Sequence, residues 1–176
     1  MRHHFVLHAA ATIGLLLGSS LISVASSATA DQALTVSFDD FIYVDTSNEP
    51  TDQTAAHERR LRAFMAALRD DVTADLHFRL TPSPCASKCP TDGPALRDRL
   101  RVASEAGTQV LIIGTVHKLS TLVQVARIAA VDVEKQRVLF RRYFQFRGDS
   151  DEAWQRAQRF ISEEVRARLL EIRSQP

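Results

Sequence analysis

The chain has 176 residues and a formal charge of +1, from 22 Lys and Arg against 21 Asp and Glu. That length suits one domain able to bury a core without staples. The near balance of charge argues against electrostatic capture of nucleic acid or of an anionic membrane, since both need a clustered excess of Lys and Arg.

The first thirty residues read as a signal peptide. Arg2, His3 and His4 form a short n-region, Phe5 to Val24 an apolar h-region, and Ala28-Thr29-Ala30 the small-x-small pattern of a cleavage site. An uncleaved anchor is the alternative, but Gly14, Gly18 and Ser19-Ser20 interrupt the apolar run. No cysteine follows the h-region, so a lipoprotein anchor is not expected. The reading is therefore export to the periplasm, with a cut after Ala30 and residues 31–176 as a single α/β domain. Removing Arg2 would leave cationic and anionic side chains in equal number. No later apolar run reaches membrane-spanning length, so no insertion is expected after cleavage.

Along the rest of the chain, Ala33–Val44 alternates Leu34, Val36 and Phe38, then shifts phase at Asp39-Asp40 to Phe41 and Tyr43. This predicts one strand with a bulge near its acidic end. After a polar loop with Thr51 or Asp52 as N-cap, Leu61, Phe64, Met65, Leu68 and Val72 mark an amphipathic helix over 54–74. Leu76, Phe78 and Leu80 predict a short strand facing one way. The segment 81–94 holds four prolines and both cysteines, Cys85 and Cys89, and must be irregular. In an oxidising compartment those cysteines are expected to pair and stiffen a local turn. A helix then starts at Pro94, with Leu96, Leu100, Ala103 and Ala106 on one face, and stops at Gly107.

The stretch 108–146 organises the remainder. Val110–Val116 is apolar on both faces, as in a central covered strand, and Gly114 implies that something packs close above it. His117–Ser120 is a hairpin connection into a strand over 121–133. Glu134–Arg137 is a second turn, and Val138, Phe140, Phe144 and Phe146 form the inner face of a last strand, broken by Arg142. Asp149 and Glu152 resemble a capping box before a helix over 151–173, whose stripe is Trp154, Ala157, Ile161, Val165, Leu169 and Ile172. The order is β-α-β-α-β-β-β-α. It predicts an α/β (α+β) fold with one mixed sheet: early strands parallel through right-handed crossovers, the last three an antiparallel meander, and helices packed on the sheet.

At Gly114-Thr115-Val116-His117-Lys118-Leu119-Ser120-Thr121-Leu122, with Phe38-Asp39-Asp40-Phe41 and Phe146-Arg147-Gly148-Asp149, the chain resembles a family of uncharacterised secreted bacterial proteins, a domain of unknown function. More distantly, Ala106-Gly107 and Gly114-Thr115-Val116 are similar to cues in the amino-terminal domain of TolB, in LpoB and in CsgG-type secretion lipoproteins. The chain departs from these in lacking a lipobox cysteine and a propeller. The resemblance implies a module that binds partners in the cell envelope, and at fold level only.

Four groups of residues could carry chemistry. Asp39, Asp40 and Asp45 end the first strand, where ligands gather in parallel sheets, but adjacent strand residues point to opposite faces, and solvated turn acids are the plainer reading. His117, beside Lys118, Ser120 and Thr121, lies near hydroxyls without any nucleophile motif, so a hairpin bonded locally or to a partner is preferred to catalysis. Cys85 and Cys89 with His77 could be drawn as a metal site, but they offer one pair where zinc needs four ligands. Arg137, Arg141, Arg142 and Arg147 line the last strand, either to recognise an acidic partner or to protect a solvated edge.

Two function classes follow. One is a non-enzymatic periplasmic accessory module contacting an envelope protein through His117, Lys118, Ser120, Thr121, Arg142, Asp39 and Asp40. The other is a small hydrolase or ligand-binding protein using Asp39 or Asp45 with His117. An auxiliary role in a periplasmic dehydrogenase system is a third idea, on which these residues say nothing. No cofactor and no metal is expected.

Overall fold

A computed structural model describes residues 32–174. The signal-peptide reading of residues 1–30 lies outside the described residues. In chain order the elements are β1 (Leu34–Phe38), β2 (Ile42–Asp45), α1 (Thr54–Thr73), β3 (Phe78–Leu80), α2 (Gly93–Glu105), β4 (Val110–Lys118), β5 (Val123–Asp132), β6 (Arg137–Arg147) and α3 (Asp151–Arg173). They form one mixed sheet of six strands in the order β3-β1-β4-β5-β6, with β2 pairing β4 beyond the end of β1. β1 is parallel to β3 and β4, and β2 is parallel to β4. β4, β5 and β6 make the antiparallel meander. The α+β class, the parallel crossovers and the meander read from the sequence are all present.

Alternation divides the sheet into two faces. Val110, Ile112 and Val116 of β4, with Ala126, Ile128 and Ala130 of β5, meet Phe64, Leu68, Trp154 and Ile161 of α1 and α3. Complete burial of side chains such as Leu68 and Ile161 contributes about 1.5–3 kcal/mol each. On the opposite face α2 lays Leu100 and Ala103 over Leu111, Ile113, Ala129 and Val131. Among the described residues this short helix and the 81–92 loop, to whose Pro82 carbonyl the buried Ser37 hydroxyl donates at 2.8 Å, cover that face, and the end of the sheet beyond Ile113 stays open. Gly107 adopts φ +73° and ends α2, as its sequence position predicts.

Four local expectations are corrected. The first strand is two strands: Asp39 still donates its N–H to the Ile112 carbonyl at 3.0 Å, but the Asp40 N–H turns to the Cys85 carbonyl at 3.2 Å. The break drops Phe41 into the core, above Gly114, where a Cβ would lie 2.7 Å both from the Phe41 ring and from the Arg127 carbonyl oxygen. The next strand starts late. Asp75 accepts the His77 N–H at 2.9 Å in a tight turn, leaving Leu76 93% exposed, and of the expected face only Phe78 reaches the core. In β6 a register shift opposite Ala130/Val131 turns Val138 outward, and Leu139 packs on the core instead. Finally, α3 is capped by Ser150, whose hydroxyl accepts the Ala153 N–H, and not by Asp149. That leaves the Asp149 carboxylate free for other work.

Candidate functional site

The work Asp149 does is to anchor a buried polar hub. Lys118 ends β4 in step with Ile112, Gly114 and Val116, so the alternation aims it at the helix face, where it is fully buried. Its ammonium has three N–H donors and three acceptors: Asp149 Oδ2 at 2.7 Å, Glu49 Oε2 at 2.9 Å and Gln53 Oε1 at 3.4 Å. Asp149 in turn receives five donors. Oδ2 also takes His57 Nε2 at 2.7 Å, and Oδ1 takes Arg60 Nη1 at 2.9 Å, Gln124 Nε2 at 3.1 Å and Trp154 Nε1 at 3.3 Å. The Tyr43 ring stacks on His57 with centroids 4.6 Å apart.

The electrostatics favour the charged forms of Asp149, Lys118 and Glu49 and the neutral form of Tyr43. Burial works against ionising Asp149, but the bonds from Lys118 and His57 outweigh it and hold the carboxyl at about 2. Burial would likewise lower Lys118, yet its bonds to Asp149 and Glu49 raise its ammonium above the ordinary lysine value. Bonds from Lys118 and Thr121 lower Glu49. Burial first, then the charges of Asp149 and Asp45, pushes the Tyr43 phenol far upward and keeps it neutral. What the hub does is tie together the 46–53 loop, α1, the end of β4 and the β6–α3 junction.

The second feature is the open end of the sheet. Strand register sets Ile42, Thr115, Arg127 and Tyr143 in one row and Val44, His117, Val125 and Gln145 in the next, on the face opposite the hub. Tyr143 is 62% exposed and Val44 39%. Among the described residues, Arg127, Arg141 and Arg147 of this face are in no ion pair; Arg79, Arg97 and Arg159 elsewhere are in none either, but the three on β5 and β6 share one face with Val44 and Tyr143.

The residues singled out from sequence divide between these places. Lys118 and Asp39 are not surface groups. Lys118 is the centre of the hub, and Asp39, 1% exposed, accepts Arg99 Nε at 2.7 Å, with burial pushing its carboxyl up against that arginine's pull. Asp40 pairs with Arg69. Thr121 stands close enough to Glu49 to help lower it, and Ser120 sits in the β4–β5 turn. Arg142 lies on the helix side of β6 and donates to the Arg141 carbonyl at 3.2 Å. His117 does stand on the open face, its Nε2 2.8 Å from the Thr46 hydroxyl. The acids and His117 are not brought together as a catalytic set. Asp39 lies near Ile113, four residues or about 13 Å back along β4, and Asp45 faces His57 at 3.9 Å and bonds Ser47. Cys85 and Cys89 form a disulfide. Sequence reasoning missed Asp149, His57 and Gln124 in the hub, and Arg127 and Tyr143 on the open face. Arg127 was visible as the one charge inside Val123–Asp132 before its closing acid.

Comparison with known proteins found no match among curated proteins. Among solved structures the chain is similar to TolB from Acinetobacter baumannii, with 14% identity and a TM-score of 0.48 over 79% of this chain, but only 29% of the TolB chain. It is similar to the hypothetical protein CT253 from Chlamydia trachomatis, at 9% identity and TM-score 0.50, over 78% of this chain and 99% of that one. The LpoB C-terminal domain from Escherichia coli matches at 11% identity and TM-score 0.40, over 64% and 82% of the two chains. At such identities the likeness is one of fold. A family model described as "Protein of unknown function (DUF2380)" matches residues 34–165, three quarters of the sequence, and the chain therefore belongs to that family, DUF3280.

Proposed function

We propose that the chain is a non-enzymatic binding module of the bacterial cell envelope, exported through residues 1–30, which holds a partner protein on the open half of its sheet. One observation carries this reading. The face that α2 leaves uncovered combines apolar Val44, Val125 and Tyr143 with three guanidiniums that are in no ion pair among the described residues. The exposed face of a solvated antiparallel sheet is ordinarily polar in alternation with a buried apolar one, and apolar groups ringed by unpaired arginines are typical of an interface. The hub lies behind this surface and keeps the end of β4 rigid, as a docking surface requires. The Cys85–Cys89 disulfide suits an oxidising compartment, and the resemblance to TolB and LpoB implies an envelope partner.

The test is affinity capture from the producing organism with wild-type chain and with Val125→Asp, which places an acid in the middle of the face without touching the core. The reading expects one discrete envelope protein with wild type and its loss from the variant, while the variant's thermal unfolding is unchanged. Equal capture by both would reject the surface.

A further inference from the structure

We propose that a concavity of about 230 Å³ on this open face is a carboxylate-binding site, built to take an acidic side chain or a terminal carboxylate of the partner protein. The inference rests on the binding-module reading and specifies its chemistry. Thr115, Arg127, Ala129, Arg141, Tyr143 and Asp92 line the concavity. The register pairs Arg127 with Tyr143 and Arg141 with Ala129, so the two arginines are diagonal neighbours on one face. Their Cα atoms are then about 7–8 Å apart, within reach of one ligand for side chains this long. Two guanidiniums lining one concavity repel each other. A carboxylate between them removes the repulsion and accepts forked bonds from both. The exposed Tyr143 ring offers a flat apolar wall for the stem of the arriving side chain.

Asp92 decides the class of anion. It is the N-cap residue of α2, its side chain makes no capping bond, and it lines the same concavity as the arginine pair. Its charge partly offsets the two guanidiniums, leaving room for a monoanion and disfavouring a phosphate dianion. A membrane surface would need a wider basic field than this charge-balanced chain carries.

The experiment uses the isotope-labelled full chain as recovered from cells, titrated with a blocked hexapeptide of alternating Glu and Val and followed by the side-chain signals of its arginines. The proposal expects the Nε–H signals of Arg127 and Arg141 to shift saturably, and the Gln counterpart of the peptide to leave them unmoved. Arg127→Gln and Arg141→Gln should each weaken binding about tenfold, and Asp92→Asn, which removes the charge at nearly the same size, should tighten it. Unmoved arginine signals, undiminished binding by Arg127→Gln, or a response to phosphatidylglycerol vesicles in place of the peptide would each overturn the site. The outcomes separate from those of the preceding reading. A partner lost on Val125→Asp but kept by Arg127→Gln and Arg141→Gln leaves the binding module standing and removes the carboxylate site. A partner insensitive to all three removes both.

Discussion

Lys118 shows what a single residue contributes here. It is an ammonium with all three donors used, fully buried, facing two carboxylates. Removing one partner of a buried ion pair is costly because the other charge stays behind. Lys118→Met should therefore cost about 3 kcal/mol in urea unfolding, and a loss under 1 kcal/mol would mean that the hub is solvated. Asp149 sets the acid side of the stability profile. Its folded value of about 2 lies below the ordinary 3.8, so the stabilisation is complete above about pH 4 and fades as pH falls towards 2. Its full size is about 2 kcal/mol. Asp149→Asn should be less stable at neutral pH and show a flatter profile from pH 4 to pH 2 in thermal unfolding. The raised Lys118 value acts at the other end: its contribution is whole below the ordinary lysine pKa and is lost only as pH climbs past the folded value. From sequence, Lys118 reads as a hairpin group beside His117. Its partners lie 31 and 69 residues away, and no local pattern reports them. The one available signal was parity, since Lys118 falls in phase with Ile112 and Val116.

At the scale of elements, the break between β1 and β2 and the glycine of β4 are one device. The chain leaves the ladder at Asp39–Phe41, and Phe41 fills the space that Gly114 keeps clear. Gly114→Ala puts a methyl against a strand carbonyl as well as the ring, and overpacking of that kind costs about 1–3 kcal/mol. Denaturant unfolding of this variant checks the geometry, and an unchanged midpoint would contradict it. The sequence shows the glycine and the phase shift at Asp39-Asp40, but a bulge and a strand break look alike in the pattern of apolar residues. The disulfide is a plainer case. Thiol alkylation without reductant should leave the mass of the chain unchanged, and two additions would show free cysteines where the structure has Cys85 bonded to Cys89. β6 is harder to read, because the register shift at Ala130/Val131 moves Val138 out of the face that period-two counting assigns to it.

For the whole molecule, element order, parallel crossovers and the closing meander follow from apolar periodicity and turn residues, and these are legible because each is set within a few neighbours. The two features that matter for function are long-range. The hub collects residues from Glu49 to Trp154, and the open face exists because α2, thirteen residues long, is too short to cover its side of the sheet. Neither can be seen without knowing which strands neighbour which. The central claim is that this uncovered half-sheet is where a partner sits. Its most direct measurement is photo-cross-linking in living cells, with a light-activated amino acid at Tyr143 on the open face and, separately, at Glu163 on the outer side of α3, both exposed positions. A single discrete adduct from Tyr143, absent from Glu163 and abolished by Val125→Asp, is the result expected. Adducts from Glu163 alone, or equally from both positions, would contradict it.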